Sequence, residues 1–580
     1  MLVSLPPDAR SVESDRDRTW FVRDRRRFRA GIVVCALFSF YMWRFVMYAD
    51  GISYLDIADR YKTGAWREAV NPYWSPLYSW VLAIATMPLG TGSSYEVVVV
   101  HFVNLVALLL SLAAFERLLR ELDVGGRAAL AMAYALFLWG AVGLIGCAPT
   151  MPDIIVTIWV YLLSVLVFRF RKGERRLAVE AALGVLVAVA YFTKTAMLLI
   201  GAVYIITASI GARRARVGVV AALACVLVMS PWLWALHEVA GTWTIGESGR
   251  LNYAWEVHGI RRATDWPGGG VLHPVRQLST NPPVFEYAEP IQATYAPWFD
   301  PSYWYAGPRT PIALGAQLFA LARNGMQAAL LLVLTPGLVV GLFLARRERL
   351  SAPGIVLIAI PALAAIGMYA LVFVEHRYLA AQLVIIGLAV VTGWSTLALS
   401  PWARRFMGLN ALVSCAWFLS WIPTALAIFM WHLLSGYSAL TNQHWRMAQE
   451  MRGLGMNTGD RIAYVGLPIT AYWARLAGVQ IIAEVPPDYD RDPLTGRLLY
   501  GHAQIDAFWR AEPSRQQRIL EAFAQIGAEW VVADMAPSWA DTAGWIKLKT
   551  VSRSQREGSM ETYARPLRHE PRVSSTSYAR

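Results

Sequence analysis

"PLYSWVLAIATMPLG", residues 76–90, is the stretch whose reading decides the fold. It is apolar, and counting it as a membrane span would invert the sidedness of everything after it. A spanning helix needs about 20 mostly apolar residues. Eleven other stretches read as spans, near 31–48, 97–117, 128–147, 154–170, 177–193, 196–210, 218–236, 327–345, 352–373, 379–399 and 408–432. "RDRRRFR" precedes the first, which puts the N-terminus in the cytoplasm by the positive-inside rule. With eleven spans, the later basic clusters fall on that same side: "ERLLRELDVGGR", "RFRKGERR", "GARRAR", "ARRER" and "PWARRF" follow every even-numbered span. A twelfth span at 76–90 would move them outside. The stretch is therefore expected to be an interfacial or re-entrant helix.

Composition agrees with a membrane chain. Of 580 residues, 56% are hydrophobic and 16% charged, too little charge to cover a soluble protein of this size. Mean hydropathy is +0.40. The net charge of +13 raises nucleic acid as a partner. The arginines sit in short clusters between apolar runs, however, which is the pattern of topology, and no nucleic acid is implied. Cys35, Cys147, Cys225 and Cys415 lie in or beside apolar runs, so no disulfide framework is implied. The polar first thirty residues do not read as a cleavable signal peptide.

The expected class is an α-helical polytopic membrane protein with a C-terminal soluble α/β domain. Residues 1–30 form a cytoplasmic basic tail. Residues 31–435 form the transmembrane domain, with periplasmic loops 49–96 and 237–326. Residues 436–567 form a periplasmic α/β domain, and 568–580 a disordered tail. In the α/β domain "RIAYVG" (461–466), "QIIAEV" (480–485) and "WVVADM" (530–535) read as buried strands. "ITAYWARLAG" and "RQQRILEAFAQIG" between them read as helices. The alternation predicts a largely parallel sheet. "GLPIT" is not a glycine-rich phosphate loop.

This topology gathers acids and bases on the outer face. "MYADGISYLDIAD" (47–59) places Asp50, Asp56 and Asp59 just beyond the first span. "CAPTMPD" places Asp153, "YFTKTAM" places Lys194, and "FVEHRYLAA" places Glu375, His376, Arg377 and Tyr378 at outer turns. Charged groups at membrane depth are costly and mark function. Each also has a plainer reading: Asp153 as a helix cap, Lys194 and Arg377 as snorkelling cations, Asp56 and Asp59 as solvated or capping acids. The loop 241–305 adds Trp243, Tyr253, Trp255, Trp298, Tyr303 and Trp304, which suit sugar stacking or interfacial anchoring. His258 and His273 show no metal-ligand spacing.

Asp50, Tyr54, Ala58, Gly64, Asn71, Pro72 and Pro76, in that order after the first span, resemble the first outer loop of GT-C type glycosyltransferases. These multi-spanning, lipid-dependent enzymes include the protein O-mannosyltransferases and the aminoarabinose transferases. Asp153 resembles their second acidic position, and Lys194 and "HRY" at 376–378 two further recurring spots. One departure is that many relatives carry Asp-Glu where this chain has Asp50-Gly51.

The resemblance implies a multi-pass protein of the bacterial inner membrane whose C-terminal domain is periplasmic or extracellular. It implies a sugar donor on a polyprenyl phosphate and a glycan, lipid or protein acceptor, with membrane lipids around it. In that chemistry the catalytic residues are Asp50, the general base of an inverting displacement, and Asp153, which orients the acceptor or holds a divalent cation. Arg377, Lys194, His376 and Tyr378 bind the donor phosphate. Tyr54, Asp56, Asn71 and Glu375 complete the candidate site. No cofactor is demanded; a divalent cation is compatible with two acids, and its ligands stay unknown. A transporter or lipid-saccharide flippase would want charges near mid-membrane and two similar halves, and neither is visible. A non-enzymatic envelope scaffold gives these residues no reason to share a face.

Overall fold

The computed structural model describes residues 7–89, 93, 95–124, 127–146, 150–259, 275–287, 293–301, 312–339, 353–395, 401–436, 442–491, 498–550 and 561–567. The helices of the first half are α1 (Pro7–Trp43), α2 (Ala49–Lys62), α3 (Trp66–Ala69), α4 (Pro76–Thr86), α5 (Glu96–Glu121), α6 (Arg127–Leu138), α7 (Asp153–Arg171), α8 (Leu177–Thr193), α9 (Met197–Ala212), α10 (Ala215–Ala240) and α11 (Ser248–Glu256). After the one-turn α12 (Ala296–Phe299) come α13 (Leu314–Leu334), α14 (Pro353–Val372), α15 (His376–Ser395) and α16 (Pro401–Leu434). The stretch that decides the topology is α4. Pro76 occupies its first turn, where a missing N–H costs nothing. Its 11 residues reach about 16 Å, half of a hydrocarbon core of about 30 Å. It packs on α2 and α5 instead, with Tyr78 donating to Asn104 at 2.9 Å and Ser79 to the Tyr54 carbonyl at 3.0 Å.

Among the described residues, five helices are long and apolar enough to cross a membrane: α5, α6 with its π-helical continuation Trp139–Ile145, α7, α10 and α13. Shorter apolar helices accompany them, among them α8 and α9. Aromatic side chains knit the middle of the bundle, where Phe115 meets Tyr134, Phe137 and Tyr161. Gly184 lets α8 and α10 touch: a Cβ there would lie 1.9 Å from the Ala221 carbonyl oxygen.

The two ends of the bundle differ. At the C-terminal end of α5, Glu116 accepts from Arg29 at 2.9 Å and Tyr134 at 2.7 Å, and Glu121 from Arg169 at 2.9 Å. Beside them the buried Glu180 pairs with Arg216 at 2.9 Å. Four of the six basic clusters thus meet at one end. The "ARRER" cluster lies outside the described residues. At the opposite end of α5, Glu96 pairs with Arg475 of the C-terminal domain. The 26 residues of α5 separate these ends by about 39 Å.

Among the described residues the C-terminal domain is a seven-stranded sheet with helices on both faces. Its strands are β1 (Val275–Thr280), β2 (Pro283–Tyr287), β3 (Arg461–Val465), β4 (Gln480–Val485), β7 (Trp530–Ala536), β8 (Ile546–Lys547) and β9 (Glu561–Pro566), in the order β1-β2-β4-β3-β7-β9-β8. A separate hairpin pairs β5 (Asp488–Arg491) with β6 (Leu498–Gly501). Only β4-β3-β7 is parallel, and every outer pairing is antiparallel. The expectation of a largely parallel sheet is corrected to a mixed one. The cause is physical: the three inner strands are buried on both faces and read as apolar runs, whereas the outer ones are short or half-exposed. Two of those outer strands come from the long loop between α10 and α13.

Strand alternation divides the core. Ile462 and Tyr464 face α17 (Gln443–Gly453) and α18 (Trp473–Ala477), and this layer also meets Phe45, Met47, Ile52 and Val97 of the membrane domain. Ala463 and Val465 face α19 (Ala503–Arg510) and α20 (Pro513–Gln525) on the far side. The expected disordered tail, 568–580, lies outside the described residues, as do His273, Tyr303 and Trp304.

Candidate active site

Asp50 and Asp153 both stand in the first turns of helices, α2 and α7, where the helix dipole favours negative charge. Lys194 caps the C-terminus of α8 in an extended conformation. Arg377 and Tyr378 lie in the first turn of α15. These four helix ends converge. Lys194 Nζ donates to Asp153 Oδ1 at 2.7 Å, and Arg377 stands 3.4 Å from Asp153 Oδ2. The Lys194 ammonium also lies 3.3 Å from the centre of the Tyr378 ring, a cation–π contact.

Asp50, Tyr54, Asp153, Lys194, Arg377 and Tyr378 line one cavity of about 810 Å³. One part of its wall is apolar and drawn from α9, α10, α14 and the residue after it: Leu199, Leu233, Met368, Val372 and Phe373. Burial pushes the Asp50 carboxyl above its ordinary value. Arg377 and Lys194 pull it down, and Asp153 adds to the rise.

The other sequence candidates fall elsewhere. His376 is half-exposed, with its ring 3.7 Å from Glu375, and neither residue lines the cavity. Asn71 is buried behind the wall. Its amide donates to the Phe299 carbonyl at 2.7 Å, and its oxygen accepts from the backbone of Tyr73 and Trp74. It therefore shapes the turn that sends Tyr73 and Trp74 into the cavity. Asp56 and Asp59 point away from the cavity, onto Arg475 at 2.8 and 2.7 Å. Sequence reasoning missed the segment 244–252, which closes one side with Thr244, Ser248, Arg250 and Asn252. The backbone bond from Glu247 N–H to the Pro72 carbonyl, 2.7 Å, ties that segment to the first outer loop. Only the aromatic residues that flank it, Trp243 and Tyr253, were a usable signal.

Gly51 has a structural reason. A Cβ at this position would lie 1.9 Å from Thr150 Oγ1, so the side chain of Thr150 fills the space a second acid would need. Among the described residues no group of three or more potential ligands comes together. Asp153 is already taken by two cations.

No protein-family model matches the chain, and no curated protein matches its sequence. Solved structures match its shape. The crystal structure of the aminoarabinose transferase ArnT from Cupriavidus metallidurans, bound to undecaprenyl phosphate, gives a TM-score of 0.51 at 14% identity, covering 94% of this chain and 98% of that one. Its apo state gives 0.50 over the same shares. The apo oligosaccharyltransferase of Archaeoglobus fulgidus gives 0.43 at 12% identity, over 87% of this chain and 69% of that one. The fold is therefore of the GT-C type, a membrane helical bundle with a C-terminal sheet domain. The sequence resemblance is borne out at the level of fold.

Proposed function

We propose that this chain is a membrane glycosyltransferase that moves a sugar from a polyprenyl-phosphate donor to an acceptor hydroxyl, with inversion at the anomeric carbon. The observation that carries the reading is the pairing, in one cavity, of a buried carboxylate with two cations and an apolar wall. A phosphate on a long hydrocarbon is the substrate that uses all three. Undecaprenyl phosphate in the ArnT structure, which shares the fold, supports that class of donor.

Asp50 accepts the proton of the incoming hydroxyl. The hydroxyl oxygen bonds to the anomeric carbon as the bond from that carbon to the phosphate oxygen breaks. The electron pair leaves with the phosphate, and Lys194 and Arg377 stabilise the growing charge. Asp153 holds both cations in place. The basic end of the bundle faces the cytoplasm, and the cavity and sheet domain face the periplasm of a bacterial inner membrane.

Purified protein in lipid, offered a panel of polyprenyl-phosphate sugars, is expected to release the sugar from at least one. A reporter fused after residue 440 is expected to be active outside the cytoplasm. Uptake or flipping of the lipid without sugar loss would overturn the reading.

A further inference from the structure

The two carboxylates on the back of α2 have no part in the reaction above, yet they are the most heavily constrained groups in the first outer loop. Residues 51–59 of α2 are all buried. At about 100° per residue, Asp59 lies opposite Asp50, and Asp56 about 120° away from it. Both meet Arg475, which is 2% exposed and belongs to α18 of the sheet domain. The same guanidinium holds Glu96, the first residue of α5, through Nε at 2.9 Å and through a second, shorter bond. Lys62 reinforces Asp59 at 2.6 Å. Thr294 donates to Asp56 from its backbone N–H at 3.0 Å and its hydroxyl at 2.8 Å. The carbonyl of Thr294 in turn accepts from Ile481 of β4 at 2.8 Å.

We propose that Arg475 is a positioning residue for Asp50: it fastens the back of α2 to the sheet domain and so sets how far the Asp50 carboxylate reaches into the cavity. The inference rests on the reading of Asp50 as the base. It gives the soluble domain a part in catalysis although none of its described residues lines the cavity. A helix of 14 residues outside the bilayer core has little stiffness of its own. Part of its front face, at Asp50 and Tyr54, borders the cavity, so the contacts of its other faces hold its position. Guanidinium forks fix geometry where an ammonium would supply charge alone.

The test compares two full-length variants with the wild-type protein, each measured per mole of folded material. Arg475→Lys keeps the charge without the fork. The quadruple variant Arg475→Met, Asp56→Asn, Asp59→Asn, Glu96→Gln removes the clamp and its three carboxylates together, so that only Lys62, which keeps its bond to the Thr86 hydroxyl at 3.3 Å, loses an ionic partner. Both are expected to lower kcat by about 10- to 100-fold, the scale of a misplaced catalytic group. Affinity for undecaprenyl phosphate is expected to stay unchanged. The acid limb of kcat is expected to move down toward the ordinary aspartate value as Asp50 gains water. Wild-type kcat and acid limb in the quadruple variant would reduce Arg475 to a stabilising contact and overturn the proposal. Asp50→Asn runs beside them. If it keeps its turnover, the base assignment fails instead, and the clamp is then judged by hydrogen exchange. Faster exchange of the α2 amides, with residues 97–121 unchanged, upholds it, and unchanged α2 exchange removes it.

Discussion

The two faces of α2 carry the same chemistry to opposite ends. On the back, Arg475 spends its donors on Asp56, Asp59 and Glu96, and Thr294 and Lys62 take up further oxygens of Asp56 and Asp59. That cluster is closed. On the front, Lys194 makes one carboxylate bond although an ammonium has three donors, and Arg377 approaches Asp153 at 3.4 Å and Glu375 at 3.9 Å, both long for a charged hydrogen bond. The front cluster has donors to spare and a cavity to use them in. A buried ion cluster whose guanidinium is surrounded by its own carboxylates is architecture; one with cations facing a cavity is prepared for an anion. The titration behaviour cuts across that division: burial pushes Asp56 on the back up to about 6, while on the front burial of Asp153 is outweighed by Lys194 and Arg377, which hold it below the ordinary range. On the back, burial pushes Asp59 up, but Arg475 and Lys62 together hold it below the ordinary range. At Asp50 on the front, burial prevails and the carboxyl is raised.

The largest expected effect comes from the front. Asp50→Asn keeps the shape but removes the basic oxygen, and turnover is expected to fall by roughly 10²–10⁴-fold with donor affinity unchanged. Because the folded-state value of Asp50 is raised, its base form is lost at a higher pH than for an ordinary aspartate. The acid limb of kcat/KM therefore lies above about 3.9, and activity is lost as pH falls through it. A limb at or below that value would place the base elsewhere.

The largest effect on stability comes from the back. Arg475→Met leaves three buried carboxylates short of their main partner and is expected to cost about 3–5 kcal/mol. Thermal unfolding in detergent measures it. Lys194→Met, beside an open cavity, is expected to cost less. Equal losses would erase the distinction between a closed and an open cluster.

Two effects of middle size sharpen the front. Arg377→Ala is expected to weaken binding of undecaprenyl phosphate by about 1–3 kcal/mol, with partial recovery in Arg377→Lys, which restores charge without the fork. Unchanged affinity would take Arg377 out of the phosphate site. Gly51→Ala drives a methyl group into Thr150 and is expected to destabilise by about 1–3 kcal/mol, the cost of overpacking. Adding Thr150→Gly is expected to recover most of that. No recovery would mean that the backbone, not the threonine, sets the approach.

Much of this was legible in the sequence, for identifiable reasons. The three inner strands showed as apolar runs because both faces are buried. α4 was readable as a short helix apart from the spans because counting it as one would have put the later arginine clusters on the side opposite the first. Asp50, Asp153, Lys194 and Arg377 could be gathered because spans alternate their ends. The back cluster was not legible. Asp56 and Asp59 at a spacing of three announce a shared helix face, but the partner on that face lies 419 positions along the chain from Asp56. No local pattern marks such a pairing. The strands β1 and β2 were hidden for a related reason: a short edge hairpin inside a polar loop gains its strand character from β4, to which it pairs.

The smallest effect tests the limit of reading a motif as a unit. "HRY" at 376–378 supplied three residues to the expected phosphate site, and the fold separates them. Arg377 is largely buried and Tyr378 forms cavity wall, whereas the His376 side chain is 54% exposed beside Glu375. Successive residues on a helix point about 100° apart, so three in a row cannot share one face. An exposed pair of this kind contributes little. His376→Ala is therefore expected to change undecaprenyl-phosphate affinity and turnover by less than about 0.5 kcal/mol. The decisive comparison is with Tyr378→Ala, which removes the ring under the Lys194 ammonium and is expected to weaken the donor site by about 1 kcal/mol. A tenfold loss in His376→Ala with Tyr378→Ala unaffected would turn the first turn of α15 the other way round, bring the cavity mouth to its exposed side, and require the front cluster to be redrawn.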